Sequence, residues 1–301
     1  MRNISDAANS NQDGRLSFGV MGGDKRYEYL TRLLKQDGYI VHGYGWPDSE
    51  LSLEPVLNAD IIILPMPLTR DGKNINLSGI FLNLDDILHN IFTRAKSPKI
   101  ILAGQIPEKY LKIAEERNLI LQDILKQEPM AIANAAATAS AAIALTIETL
   151  ERDLSGKRCL ILGYGRIGKL LAYKLHGVGA SVSIAARKSR DRAWVRAYGF
   201  QALNILNQDK INAKIADFDI IYNTIPAPVL DSKILTRVKS SCVWVELASR
   251  PGIEINKNNA SENASPRMIQ AAGLPGRIVP WTAAEILRDI IYEILREGGI
   301  L

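Results

Sequence analysis

The run Cys159-Leu160-Ile161-Leu162-Gly163-Tyr164-Gly165-Arg166-Ile167-Gly168 holds the residues whose spacing speaks most directly of chemistry. An apolar strand empties into a G-x-G-x-x-G turn, and Lys169–Leu175 continues as a helix. In that setting Gly163 permits the tight turn, Gly165 lets the backbone approach a pyrophosphate, and Gly168 lets helix and strand pack closely. The phosphates would rest on unpaired N–H groups at the helix start, where the dipole favours negative charge. Gly163, Tyr164, Gly165, Arg166, Ile167 and Gly168 are therefore candidate contacts to a dinucleotide. An ordinary tight strand-to-helix turn is the alternative at this point.

The next strand separates the two nicotinamide cofactors. An NAD site usually places Asp or Glu at its end, to accept hydrogen bonds from the ribose hydroxyls. Here Ser181–Ala186 runs into Arg187-Lys188-Ser189-Arg190, with no acid. Cations and a hydroxyl suit a phosphate on the adenosine ribose, so Arg187, Lys188 and Ser189 point to NADP, with NAD as the alternative. Ligands of open α/β sheets sit outside the carboxyl ends of the strands. That rule adds Asn223, Thr224, Ile225 and Pro226 after the fourth strand, and Leu247 and Ala248 after the fifth. Ser249 and Arg250 would face a cleft between domains, and the turn Ala272–Arg277, with Gly273, Leu274 and Pro275, reads as backbone open to a ligand.

The elements that must position these residues alternate strand and helix throughout, which implies parallel sheets. Strands are expected at Leu16–Met21, Tyr39–Tyr44, Ala59–Pro67, Lys99–Gly104 and Leu119–Asp123, with helices at Tyr27–Gln36 and Pro107–Glu116. A second set of strands is expected at 158–162, 180–185, near 201–202, 219–223, 242–247 and 268–271. Between the sets, Glu128–Arg152 reads as one long alanine-rich helix bridging two domains. The final helix, Ala283–Arg296, carries apolar residues at helical spacing and is expected to return to the interface or the first domain. The division expected is a flexible tail (1–15), an N-terminal substrate-side domain (16–130), the bridge (131–152), a dinucleotide domain (153–282) and the C-terminal interface helix (283–301).

Composition excludes several classes. With 301 residues, 47% hydrophobic and 23% charged, the chain suits two ordinary globular domains. A net charge of +5 without a nucleic-acid motif does not argue for DNA or RNA. The polar N-terminus lacks a signal-peptide core, and Ala131–Ile147 reads as too polar to span a bilayer, so a cytoplasmic protein is expected, with no membrane partner. Cys159 and Cys242 read as buried thiols, and scattered His42, His89 and His176 offer no metal spacing.

Assembled, these segments resemble the dipicolinate synthase A-subunit family. The residues that carry the resemblance are Gly22-Gly23-Asp24-Lys25-Arg26-Tyr27, Ile62-Ile63-Leu64-Pro65, the glycine turn at 163–168 and Asn223-Thr224-Ile225-Pro226. More specific are Leu247-Ala248-Ser249-Arg250-Pro251-Gly252 and Gly273-Leu274-Pro275-Gly276-Arg277-Ile278-Val279-Pro280. The resemblance implies two doubly wound Rossmann-like α/β domains. It implies NADP-dependent oxidation of a dihydrodipicolinate-type ring to the aromatic dicarboxylate, beside a flavoprotein-type second subunit during spore formation. A homo-oligomer is also expected. The chain departs from the family's Asn-x-x-Pro-Thr-x-Glu-Gly at Asn134-Ala135-Ala136-Ala137-Thr138-Ala139-Ser140-Ala141, and carries Trp281 and Ala284 where the family tends to have Lys and Gly.

A dicarboxylate calls for cations and hydrogen-bond donors. Arg26 and Arg250 are the candidate cations, Thr138 and Ser249 the donors, and Asp24 the candidate base. A surface ion pair or a helix-capping Asp is the structural alternative for these positions. A 2-hydroxyacid dehydrogenase is the runner-up, opposed by the absence of histidine after His176. A non-catalytic NADP-binding scaffold is the third reading.

Overall fold

The computed structural model of the chain describes residues 16–94, 100–117, 119–253 and 266–301. The expected tail over 1–15, the surface loop expected over 257–265 and Lys99 of an expected strand lie outside the described residues. Two compact units divide the chain: one runs to Asn134 and resumes at Val279–Leu301, and the other is Ala135–Ile278.

In the first unit the order is β1 (Ser17–Met21), α1 (Lys25–Gln36), β2 (Ile40–Tyr44), α2 (Glu54–Asn58), β3 (Ile61–Ile63), α3 (Leu84–Arg94), β4 (Ile100–Ala103), α4 (Glu108–Glu116) and β5 (Ile120–Asp123). The strands form a parallel sheet, β2-β1-β3-β4-β5, whose order reverses between β1 and β3. The central strands β1, β3 and β4 are buried on both faces, which is why they are continuous apolar runs, whereas the edge strand β2 alternates. Phe18, Val20, Ile61, Ile63 and Leu102 pack on one face, and Met21, Ile62, Leu64 and Ile101 on the other.

Helix α5 (Glu128–Leu150) links the units in sequence, and α10 (Pro280–Glu297) completes the first. Ala284, Leu287, Ile290, Ile291 and Leu295 recur at helical spacing and bury against Leu30, Leu33 and Leu34 of α1. Proline at its start fits the first helical turn, where no backbone N–H is needed.

The second unit comprises β6 (Arg158–Leu162), α6 (Arg166–Gly177), β7 (Ser181–Ala186), α7 (Ser189–Ala197), β8 (Gln201–Asn204), α8 (Gln208–Lys214), β9 (Ile220–Asn223), β10 (Val243–Glu246), β11 (Arg267–Gln270) and α9 (Leu274–Ile278). Its parallel sheet runs β11-β10-β9-β6-β7-β8. That is the doubly wound order of a Rossmann domain, with the reversal between β6 and β9. Helix α5 is tied to this sheet by the Tyr222 hydroxyl, which bonds Thr146 Oγ1 at 2.9 Å while Thr146 donates to Ala142 O. Burial raises the Tyr222 phenol above its ordinary pKa.

Several expectations are corrected. The strand expected over 59–67 is only Ile61–Ile63; Leu64 N still bonds Leu102 O, but Pro65 and Pro67 have no N–H to continue the ladder. The helix expected to reach Arg152 stops at Leu150, and Glu151 adopts φ +52°. Residues 272–277 are not an open turn, because Leu274–Ile278 coils into helix and buries Leu274, Pro275 and Gly276. Helices α2, α3, α7 and α8 had no sequence assignment. Glu128–Leu150 is, against expectation, long and apolar enough to cross a bilayer, because alanine counts as apolar; yet Ala135, Ala139, Ala141 and Ala142 are buried within the folded chain, as in a core helix.

Leu287 is fully buried on α10. Leu287→Ala is expected to cost about 2–5 kcal/mol in urea unfolding, and a loss below about 1 kcal/mol would remove α10 from the core.

Candidate dinucleotide site

A cavity of about 770 Å3 opens beside the glycine turn after β6, where the sheet order reverses. Gly163, Tyr164 and Gly165 form one wall, the β7–α7 turn a second, and Thr224–Val229 a third. Gly163 holds φ +105°, and a Cβ there would lie 2.4 Å from Thr224 Oγ1. A Cβ on Gly168 would meet the Gly163 carbonyl oxygen at 2.4 Å, so the first turn of α6 lies directly on the strand end. Thr224 closes the floor, donating from both N and Oγ1 to Leu162 O at 3.0 and 2.8 Å.

Gly165 differs from both. Nothing lies within 4 Å of where its Cβ would be, and it caps the 12-residue α6 without any side-chain hydrogen bond. Bare backbone, open space and a helix N-terminus are what a pyrophosphate requires. The residues present therefore fit a dinucleotide.

Arg187, Lys188 and Arg190 line the cavity and are exposed, while Ser189 starts α7 beside them. Asp191, in the first turn of α7, also lines it and lies 3.8 Å from Arg190. Sequence analysis missed this acid because it falls beyond the end of β7, where the ribose-binding carboxylate is sought. It also missed Lys169, Ile205, Leu206, Pro228 and Val229. The only signal for Ile205 and Leu206 was their place after the strand expected near 201–202. Burial, with Tyr198 and Asp191 nearby, raises the Tyr164 phenol above its ordinary pKa, and Lys169 Nζ stands 5.4 Å from its ring centre.

Other predicted residues take different places. Arg166 and Ile167 belong to the first turn of α6 and do not line the cavity. Asn223 is fully buried: its Nδ2 donates to Glu246 Oε1 at 2.6 Å and to Ile225 O at 3.0 Å, and its Oδ1 accepts from Ile225 N at 3.1 Å. Its amide shapes the turn that Thr224, Ile225 and Pro226 present to the cavity. Glu246, 2% exposed, also accepts from Ala248 N and Gly252 N. The loop between them buries Leu247, half-buries Ala248 and exposes Ser249 and Arg250. Gly273, Leu274 and Pro275 do not line the cavity, because the last two are packed inside α9.

In the first unit, Asp24 caps α1 by accepting from Arg26 N at 3.2 Å. Its two oxygens also take the Arg26 Nε and Nη2 hydrogens at 2.8–3.1 Å. Burial lowers the Arg26 pKa, but the bond to Asp24 together with the charge interactions with Tyr27 and Asp24 outweighs it, and the net shift is upward. Thr138 is 7% exposed on α5. Ser140, where the family resemblance expects Glu, donates to Ala136 O at 3.3 Å. Trp281 packs on Tyr29 and donates to Glu285 at 3.0 Å. Both cysteines are fully buried, which pushes their thiols up to about 12, and no group of metal-binding side chains occurs among the described residues.

The glycines give a separable test. Gly165→Ala is expected to change folding stability by no more than about 0.5 kcal/mol while abolishing tight dinucleotide binding in a fluorescence titration. Gly163→Ala is expected to lose about 1–3 kcal/mol of stability as well, through its positive φ. Unchanged binding in Gly165→Ala would remove the phosphates from this turn.

Comparison with known proteins agrees with this geometry. The family model for the N-terminal domain of the dipicolinate synthase A subunit matches residues 17–125, and one described as NAD(P)-binding matches residues 150–253. The dipicolinate synthase A subunit of Bacillus subtilis (strain 168) is 30% identical over 294 residues, covering 94% of this chain and 96% of the relative. The crystal structure of the dipicolinate synthase A subunit from Bacillus halodurans superposes with a TM-score of 0.75 at 26% identity, covering 93% of this chain and 97% of that one. The Bacillus subtilis crystal structure gives 0.74 at 26% identity, covering 98% and 99%. The protein, two parallel-sheet α/β units with a nicotinamide-dinucleotide site on the second, belongs to the dipicolinate synthase A-subunit family.

Proposed function

We propose that this chain is an NADP-dependent oxidoreductase that converts a dihydrodipicolinate-type ring dicarboxylate into dipicolinate. The observation that carries the reading is the cavity after β6, with bare Gly165 at the helix start and Arg187, Lys188 and Arg190 on its rim. Family membership supports the oxidoreductase class and a multi-subunit setting, since the Bacillus subtilis relative is named as one subunit of its enzyme. A flavoprotein-type second subunit, homo-oligomerisation, the cytosol and spore formation belong to the same proposal.

The ring must lose a hydride and a proton to become aromatic. Bound NADP supplies the hydride acceptor. Gly165 and the α6 N-terminus hold the pyrophosphate, and the cationic β7–α7 turn holds the ribose phosphate. Thr224, Ile225 and Pro226 wall the cavity on the side of β9. Arg250, exposed on its loop, is the proposed carboxylate partner in the second unit, with Ser249 as a donor beside it. In the first unit Arg26 is the proposed cation, since Nη1 has no hydrogen bond among the described residues after Asp24 has taken Nε and Nη2. Asp24 is already engaged by those donors, so we assign it to anchoring Arg26 rather than to proton removal. Thr138 is retained as a candidate donor. Aromatisation drives the step, and the proton can pass to water.

Ser140 and Trp281 favour a second reading. They replace a carboxylate and a cation of the family pattern, and their polar atoms are engaged by Ala136 and Glu285. A non-catalytic NADP-binding subunit would tolerate both changes. The 2-hydroxyacid dehydrogenase reading has no histidine to carry it, because His176 packs edge-on against Phe200 and does not line the cavity.

NADPH formation from NADP and dihydrodipicolinate, measured with and without the second subunit, decides among these. Turnover is expected; tight NADP binding without turnover in either case would establish the scaffold instead. Arg250→Ala is expected to raise the substrate KM about tenfold or more, the worth of a charge-assisted hydrogen bond. The KM for NADP should stay nearly unchanged, and equal small effects on both would remove Arg250 from the substrate.

A further inference from the structure

Arg192 lies one turn into α7, yet its guanidinium folds back toward the strand ends. Nη1 donates to Ala186 O at 3.1 Å, to Arg187 O at 2.5 Å and to Asn204 Oδ1 at 3.5 Å. Asn204 Oδ1 also accepts from Leu206 N at 3.2 Å, and Ala186 O from Ile205 N at 3.4 Å. One cation thus gathers two carbonyls at the end of β7 and the side chain at the end of β8. Ala186, Arg187, Ile205 and Leu206 all line the cavity, whereas Arg192 itself does not.

We infer that Arg192 is a positioning residue for the adenosine end of the cofactor site, setting discrimination at the ribose 2′ position without touching the cofactor. The inference rests on the NADP reading above. Two carbonyl dipoles at the strand end would repel an incoming phosphate. Arg192 engages both, and by holding the backbone of Arg187 it fixes where that exposed side chain begins. The longer, shared contact to Asn204 Oδ1 at 3.5 Å links this junction to the opposite wall, where the same oxygen holds Leu206 N at 3.2 Å. Arg192 therefore acts on the phosphate-bearing cofactor far more than on the one with a free hydroxyl.

Equilibrium titration of NADPH and NADH against the wild type, Arg192→Met, Arg192→Lys and Arg187→Ala tests this. The wild type is expected to prefer NADPH. Arg192→Met should weaken NADPH about tenfold while NADH changes by less than about threefold, and Arg192→Lys should recover part of the loss. A merely structural arginine would weaken both cofactors together, and that result would overturn the assignment. A wild type without preference would overturn the NADP reading and the assignment with it. A preference lost in Arg187→Ala but kept in Arg192→Met would overturn the assignment alone. Should Arg192→Met fail to fold, Asn204→Ala removes the far end of the same junction, and the same selectivity loss is expected from it.

Discussion

The hydrogen bond between the side chains of Asn223 and Glu246 orders the carboxyl edge of the second sheet. Both are buried, and no cation pairs with the carboxylate among the described residues. A buried carboxylate without a counter-charge persists only where donors surround it. Here they come from Asn223, Ala248 and Gly252. Two loops are bound together as a result: the one after β9 that walls the cavity, and the one after β10 that exposes Ser249 and Arg250. The Gly252 carbonyl closes the circuit by accepting from Val229 N at 2.9 Å. Neighbouring strands β9 and β10 place the two side chains opposite each other, since Asn223 pairs with Glu246 in the ladder. The sheet register is therefore what brings the loops together.

Both sheets use the same means to expose such loops. Covering both faces with helices leaves the strand edges as the only places where backbone is free to meet a ligand. Where strand order reverses, adjacent loops diverge to opposite faces and leave a crevice. In the second unit that crevice is the cavity between the β6 and β9 loops. In the first, the corresponding edge between β1 and β3 carries Gly22, Gly23 and the Asp24–Arg26 pair, with the Ser78 hydroxyl bonded to Gly23 O at 2.6 Å.

The legible parts were those where one local stretch carries the whole constraint. The glycine turn is one: strand, turn and helix are contiguous, so their spacing implies the tight turn at Gly163 and the close packing at Gly168 that the structure shows. The basic end of β7 is another. Asn223 was placed correctly at its strand end, but its engagement with Glu246 depends on a partner 23 residues away. The Ile205–Leu206 wall and the Arg192 junction are likewise assembled by register between β7 and β8. For Asp24 and Arg26 the sequence leaves both a site and a cap or ion pair open, and the structure shows the pair, because which one forms depends on side-chain rotamers at the helix start. The strand at 59–67 was overread because prolines among apolar residues look like strand to a hydropathy pattern while removing the donors a ladder needs. Residues 274–278 were underread because a helix of one turn is too short to show a period.

Helix α5 has one more implication. Alanine occupies positions 137 and 141, where the family resemblance expects proline and glycine, and the helix runs unbroken over 23 residues. Those exchanges favour the helical state by about 3 kcal/mol for the proline and about 1 kcal/mol for the glycine. The segment is thus continuous helix where a proline and a glycine would interrupt or weaken it. The chain therefore passes from one unit to the other, at Asn134–Ala135, within unbroken helical hydrogen bonding, and the first left-handed residue after it is Glu151.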